Sequence, residues 1–446
     1  MERIGQRTPI SKLILKNIPQ IHFVGIGGVG MNGLAQLAAQ RGFLVSGSDR
    51  AYDPSTPLFC HLKQLGISLY PQDGSGVNAQ TSHLVYSTAI ESDNPDLTAA
   101  KNLHIPLLHR AEFLNQLIDP DAELIAVAGT AGKTTTTGML GWIFDALGLN
   151  PTVYNGASVL NWKQNGVPGN VRSGSDKLWI IEADESDKSF LNFHPTHSII
   201  TNISKDHFEL DELHAMFAQF RDQTSGTVIE GTPLPIGAPG APNRFSLNGI
   251  EFVVPLIGQY NAENALCAAR LCSALGMDLE HVRDALAQFK GIERRLEHIG
   301  TVDGITIIDD YAHNPAKIGA VLSALAQTTG RVHAFWRPHG FAPLANSLKE
   351  LVETFSTHYK TYGGSIFILP VYYAGGTVSR TITTEDLIEK LNSAGVPAQF
   401  VPDYDALKQK LENCAESGDT ILGMGARDPE LPQFLRKLVA EWKRFN

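Results

Sequence analysis

Three short runs in this 446-residue chain hold residues whose types and spacing could do chemistry. The first is Gly129-Thr130-Ala131-Gly132-Lys133-Thr134-Thr135, small residues closed by a lysine and hydroxyls. Such a run cradles phosphate. Loop amides and the positive end of the following helix face the anion, the Lys133 ammonium reaches the outer phosphates, and the Thr134 hydroxyl takes Mg²⁺. The longer form of the pattern opens with a glycine at the position of Val127, so this is the short GTxGKT loop. The second run, Glu182-Ala183-Asp184-Glu185-Ser186-Asp187, gathers four acids. Carboxylates beside a phosphate loop suit Mg²⁺, which wants hard oxygen donors; the competing reading is a solvated acidic turn. The third run ends in Asp206-His207. A lone histidine is more often a surface or core residue, but at a strand end beside a phosphate loop His207 is a candidate ligand for a second metal.

Positioning these groups requires strands that stop where the runs begin. Leu124 to Ala128 is a short apolar run that reads as a buried strand, and Met139, Leu140, Ile143 and Phe144 recur at helical spacing over Thr135 to Leu147. Trp179 to Glu182 reads as the strand delivering the acids, and Ser198 to Ile203 as the one leading to His207. Further on, Asn261 and Asn264 sit three apart ahead of a small-residue helix expected over Leu266 to Leu275. They could cap that helix or offer amides to a purine edge. A helix over Leu279 to Phe289 follows, and between about Phe220 and Val254 a Pro- and Gly-rich stretch reads as turns and short strands.

A second glycine pattern lies upstream. The strand Ile21 to Val24 runs into Gly25-Ile26-Gly27-Gly28-Val29-Gly30, a helix is expected from Met31 to Arg41, and the strand Phe43 to Ser46 leads to Asp49. This is the fingerprint of a dinucleotide cradle, with an acid about 20 residues on for a ribose. NAD and a UDP-sugar both fit it. His83 to Ile90 and His104 to Leu108 read as further strands, and Arg110 opens a helix that Pro120 should end. Beyond Gly291 the chain alternates helices with strands at Ile305–Ile308, Val332–Phe335, Ile366–Leu369, Ala398–Val401 and Thr420–Met424. That is an α/β pattern with a mostly parallel sheet, and the first of these strands ends in Asp309-Asp310.

Composition sets outer bounds. Hydrophobic residues make up 43% and charged residues 18%, ordinary for a globular chain, and a net charge of -10 argues against a nucleic-acid-binding surface. The four cysteines, Cys60, Cys267, Cys272 and Cys414, form no CxxC pair, which suits free thiols in a reducing cytoplasm. No apolar run is long enough to span a membrane, so a cytoplasmic location is expected.

Taken together, GTxGKTT at 129–135, EADESD at 182–187, TNI-x-x-DH at 201–207, NAEN at 261–264, RRLE at 294–297 and DDYAHNP at 309–315 resemble the Mur ligase family of peptidoglycan synthesis, over nearly the whole chain. GIGGVGMNGLA at 25–35 and SGSD at 46–49 are most similar to its alanine-adding branch. The resemblance implies an α/β fold of three domains: a Rossmann-like UDP-substrate domain over 1–118, a P-loop ATPase-like ATP domain with a parallel or mixed sheet over 119–292, and a Rossmann-like amino-acid domain over 293–446. It further implies ATP and two Mg²⁺ ions, with UDP-N-acetylmuramate and an amino acid as substrates. Lys133, Glu182 and His207 would be catalytic, with Thr134, Glu182 and His207 holding metal. Gly129, Thr130, Gly132, Lys133, Thr134, Thr135, Asn261, Asn264, Arg295 and Asp310 would contact ATP. Gly25, Gly27, Gly28, Gly30, Asp49 and Ser87 would hold the UDP substrate, so the first fingerprint is not an NAD site.

The expected activity is amide-bond formation through an acyl phosphate, joining L-alanine to the carboxylate of UDP-N-acetylmuramate. A ligase adding another amino acid or a murein peptide is the alternative, and a non-catalytic nucleotide-binding relative is the alternative of another class. Two departures bear on the amine. Ala131 stands where the alanine-adding branch has histidine, and Pro338-His339-Gly340 where it has PHR. His313, His339, Arg337 and Arg427 are the expected amino-acid pocket, the two arginines replacing the missing grip.

Overall fold

The protein is described from a computed structural model, covering residues 18–164, 166–204, 208–235, 243–326, 330–372 and 382–442. The first sheet is built from β1 (Gln20–Val24), β2 (Leu44–Asp49), β3 (Ser68–Pro71), β4 (Thr81–Tyr86) and β5 (Leu107–His109), with helices α1 (Val29–Gln40), α2 (Pro57–Gln64), α3 (Pro95–Asn102) and α4 (Arg110–Leu117) between them. All its strands are parallel, in the order β3-β2-β1-β4-β5. The order reverses between β1 and β4, the point where an open α/β sheet leaves a crevice for a ligand. His104 is not in a strand as its apolar neighbours suggest. It takes φ 57 in the turn closing α3, so β5 starts only at Leu107. Ile90 likewise leaves β4, because its amide closes a turn on the Ser87 carbonyl at 3.1 Å.

The central region runs β6 (Glu123–Ala128), α5 (Lys133–Ala146), β7 (Pro151–Tyr154), β8 (Val171–Arg172), β9 (Ser175–Glu182), β10 (His197–Ile200), α6 (Leu210–Gln223), β11 (Val228–Glu230), the hairpin β12 (Asn243–Leu247) and β13 (Ile250–Val254), α7 (Gln259–Ala274) and α8 (Leu279–Ala287). Its main sheet is ordered β11-β10-β6-β9-β7-β8, parallel except for the β7–β8 pair. The strand carrying the phosphate loop is thus flanked by β9 and β10. Residues leaving the carboxyl ends of those two strands must meet the loop.

The third region holds β14 (Glu297–Val302), β15 (Ile305–Asp310), α9 (Pro315–Leu325), β16 (Val332–Trp336), α10 (Phe341–Asn346), α11 (Leu348–Tyr362), β17 (Ile366–Ile368), α12 (Thr384–Ser393), β18 (Ala398–Phe400), α13 (Tyr404–Cys414), β19 (Thr420–Met424) and α14 (Glu430–Glu441). Only β14 runs antiparallel in the order β14-β15-β19-β16-β17-β18.

The chain divides into two compact units, the second made mainly of residue 293 onward. The first unit contains both the first sheet and the central sheet, and the physical reason is visible. One apolar core runs without interruption from Ile21, Leu34 and Phe113 to Trp179, Phe190 and Phe217. Across it, buried Asn170 donates to the Val29 carbonyl at 2.8 Å and to Asn32 Oδ1 at 2.9 Å, while Arg41 pairs with Asp176 at 2.8 Å and lies 4.5 Å over the Trp179 ring. Among the described residues no helix is long and apolar enough to cross a membrane.

Candidate active site

The phosphate loop leaves β6 and returns at α5, whose first residue is Lys133 rather than Thr135 as periodicity predicts. Helicity reaches back two residues because Gly132, at φ 85, makes the left-handed turn that a side chain would strain. The N-caps of α5 and α1 are Gly132 and Gly28, which carry no side chain to cap the first turn. A helix start of this kind leaves room for an anion against its first-turn amides.

β9 and β10 close on the loop as the strand order requires. Thr134 Oγ1 donates to Glu182 Oε1 at 2.9 Å, and the other Glu182 oxygen accepts from the Gly156 amide at 2.7 Å. Lys133 Nζ donates to Glu185 Oε2 at 2.6 Å and to the Gly129 carbonyl at 2.8 Å. Burial alone would lower the lysine's pKa, but Glu185, Asp184 and Glu182 surround it and hold it raised, so the ammonium stays charged. Burial likewise opposes ionisation of Asp184, yet Lys133 and Arg110 keep its pKa lowered. The acid run is thus a set of paired carboxylates and not a solvated turn.

From β10 the chain contributes a clamp that sequence reading missed. The strand ends at Ile200, not Ile203, because Thr201 and Asn202 turn their side chains to the loop. Asn202 takes the Ala131 amide on Oδ1 at 3.1 Å and gives Nδ2 to the Ala131 carbonyl at 2.9 Å. Thr201 Oγ1 reaches the same carbonyl at 2.5 Å, and Thr130 Oγ1 donates to Asn202 Oδ1 at 2.6 Å. His207 lies outside the described residues.

Asn261 and Asn264 do not precede their helix. α7 starts at Gln259, so both lie inside it, buried on one face, and the capping alternative falls away. The site of a side chain on Gly132 would be occupied by Asn264 Oδ1. The amide pair and the phosphate loop are therefore neighbours, as one nucleotide would need. Thr135 is buried behind the loop in α5.

In the first sheet, Gly25, Gly27 and Gly28 form the turn into α1, and Gly30 lies in its first turn. Both Asp49 oxygens are committed to backbone, accepting from Gly27 N at 2.7 Å and Ala51 N at 2.9 Å, so this carboxylate shapes the glycine turn. Ser87 follows β4, the strand paired with β1. Gly30 connects the two sheets: its carbonyl accepts from Tyr154 OH at 3.2 Å, and Arg110 beside it pairs with Asp184 at 3.1 Å and Asp187 at 3.5 Å. Nothing in the spacing of Arg110 or Tyr154 announced this.

In the second unit, β15, β16 and β19 end side by side, with Asp310 and Trp336 both in register with Met424. Asp310 is buried, accepting from Leu296 N at 2.7 Å and Ala312 N at 2.8 Å; its carboxyl secures the turn in which Leu296 takes φ 46. Arg295 lies 5.5 Å over the Tyr311 ring. His313 and His339 stack edge to face with centroids 5.3 Å apart, and burial drives the His313 pKa down to about 4. Arg337 donates to Asp428 Oδ2 at 2.6 Å, and Tyr404 OH bonds the same carboxylate. Arg427 is exposed, has no ion pair among the described residues, and is near enough to depress the His339 pKa beyond what burial does. Of the two arginines, Arg337 is committed to Asp428, and Arg427 has no such partner among the described residues.

Protein-family comparison matches residues 20–121 to "Mur ligase family, catalytic domain", residues 127–222 to "Mur ligase middle domain" and residues 294–427 to "Mur ligase, glutamate ligase domain". The UDP-N-acetylmuramate–L-alanine ligase of Lachnospira eligens is 32% identical, covering 94% of this chain and 97% of its own. The Myxococcus xanthus protein of the same name is 31% identical over 96% of this chain and 98% of its own. The solved UDP-N-acetylmuramate–alanine ligase of Thermotoga maritima superposes with TM-score 0.77 at 25% identity, over 94% of this chain and 98% of that one. A murein peptide ligase from Psychrobacter arcticus shares the fold, with TM-score 0.65 at 22% identity over 95% of this chain and 100% of that one. With three successive family matches and end-to-end likeness to such relatives, the chain belongs to the Mur ligase family.

Proposed function

We propose that this protein is an ATP-dependent ligase that joins L-alanine to the carboxylate of UDP-N-acetylmuramate, a cytoplasmic step of peptidoglycan synthesis. The observation carrying the chemistry is the pair of contacts at the phosphate loop, Lys133 to Glu185 and Thr134 to Glu182. The names and full-length coverage of the relatives support alanine and the muramyl substrate.

A carboxylate is a poor acyl donor, so one of its oxygens first attacks the γ-phosphorus of ATP and ADP leaves. The neutral amine then attacks the acyl phosphate carbon, a tetrahedral intermediate forms, and phosphate departs as the amide is made. The first step brings two anions together. Lys133, kept charged by its carboxylate neighbours, offsets that repulsion with the α5 N-terminus. A hydroxyl and a carboxylate 2.9 Å apart, Thr134 and Glu182, are the oxygen donors that Mg²⁺ takes alongside waters and phosphates, so the residues present fit that ion. Once held there, Mg²⁺ would neutralise phosphate charge. By the family resemblance, His207 would hold a second ion.

In this reading residues 1–118 bind the UDP moiety through the glycine turn and Ser87, residues 119–292 bind ATP with Asn261 and Asn264 at the adenine, and residues 293–446 supply Arg295 to ATP, with buried Asp310 holding the turn beside it, and His313, His339 and Arg427 to the amino acid. The alternative ligase, adding another amino acid or a peptide, has one point in its favour: Ala131 and Gly340 depart from the alanine-adding pattern. Gly340 also sits at φ 75, so an arginine there would need a different backbone. Phosphate release from ATP, Mg²⁺ and UDP-N-acetylmuramate across a panel of amino acids decides between them. The expected result is release with L-alanine well above all others. Faster release with another amine would select the alternative, and none with any amine would remove the ligase reading.

A further inference from the structure

In the scheme above Glu185 serves only to keep Lys133 charged, yet it also makes the shortest contact of the phosphate-loop lysine. It lies 2.6 Å from Lys133 Nζ and is 2% exposed. An ammonium has three donors. One goes to the Gly129 carbonyl at 2.8 Å and one to Glu185, leaving a single donor for a ligand. Glu185 is itself fixed, because the turn holding it closes with Lys188 N on the Glu185 carbonyl at 3.0 Å and Phe190 N on the Asp184 carbonyl at 3.2 Å. A long, rotamer-rich side chain held at two of three donors is already ordered before nucleotide arrives, so its ordering need not be charged to the reaction.

We propose that Glu185 is the positioning residue for phosphoryl transfer, holding Lys133 with the Gly129 carbonyl so that its remaining donor meets the γ-phosphoryl group. The inference rests on the ligase reading and assigns a residue to it. It differs from a simple plug. A carboxylate that only occupied the phosphate position would compete with nucleotide, and its removal would tighten binding without slowing turnover.

The test compares Glu185→Gln, which keeps the shape and removes the charge, with Glu185→Asp, which keeps the charge on a shorter arm. For Glu185→Gln the expected kcat loss is roughly 10- to 100-fold, the range of a misplaced catalytic group. KM for ATP should change less than about threefold, ADP affinity should hold within about twofold because ADP lacks the transferred group, and Glu185→Asp should recover part of the rate. Thermal unfolding near that of the wild type keeps the comparison fair. Unchanged kcat would overturn the inference, as would tighter ATP binding at full turnover or equal losses in kcat and ADP affinity. If the wild type itself releases no phosphate, the ligase reading fails and takes this inference with it. Release in the wild type that Glu185→Gln matches removes the inference alone.

Discussion

Replacing Asn202 by alanine asks whether the loop is held by its neighbours or by the nucleotide. The side chain makes three hydrogen bonds to the loop: from Ala131 N at 3.1 Å, to the Ala131 carbonyl at 2.9 Å, and from Thr130 Oγ1 at 2.6 Å. A typical internal hydrogen bond contributes about 0.5–1.5 kcal/mol net. Asn202 is exposed, so water replaces each lost partner and the low end applies. Three bonds at about 0.5 kcal/mol give about 1.5 kcal/mol, which must then come from nucleotide binding and corresponds to roughly a tenfold loss of affinity. Thr201 still reaches the Ala131 carbonyl in the variant, so the loss should stop there. Calorimetric titration of ADP into wild type and Asn202→Ala measures it, with affinity for the UDP substrate as internal control. ADP affinity within twofold of wild type, accompanied by a drop of several degrees in Tm, would refute the reasoning and make the clamp a fold element.

The two arginines should separate cleanly. Arg337→Ala leaves Asp428, 1% exposed, without its cation, and should destabilise the protein by about 3 kcal/mol, read as a lower urea midpoint. Arg427→Ala should leave that midpoint alone and raise the amino-acid KM about tenfold, the value of a lost charge-assisted hydrogen bond; an unchanged KM removes it from the pocket. His358 gives a pH test. It is buried with neither ring nitrogen hydrogen-bonded among the described residues, and burial lowers its pKa from 6.5 to about 4. The folded state then binds fewer protons than the unfolded one between those values. Stability is full above pH 6.5 and is lost as pH falls toward 4, by about 3 kcal/mol for 2.5 units. His358→Leu should flatten that limb in urea unfolding at pH 7 and pH 4.5, with the share of His313, also lowered to about 4, remaining. An acid limb as steep as before would show that His358 is not its source.

Family, fold class and the strand-loop-helix unit around Lys133 were legible in the chain itself, because they depend on contiguous residues. An apolar run, a glycine turn and a Lys-Thr pair specify strand, loop and helix locally. Strand edges were the weaker part. Periodicity extended β10 to Ile203 and β5 back to His104, and in both places the competing force was not apolar pattern but hydrogen bonding: Asn202 to the loop, and a left-handed turn at His104. Asn261 and Asn264 were recognised as a pair but set outside their helix, since small residues give no sharp start signal.

What the sequence determined alone was the inventory: which groups can bind phosphate, which can ligate a metal, and in what order they come. Which carboxylate meets which cation was decided only by the sheet. Glu182 and Glu185 are three residues apart and chemically alike, yet the parallel pairing of β6 with β9 sets one on Thr134 and the other on Lys133. Arg337 and Arg427 were equal candidates until folding buried Asp428 against the first and left the second without an ion pair among the described residues. Local chemistry fixes what a residue can do; strand order, acting over dozens of intervening residues, fixes which partner it does it with.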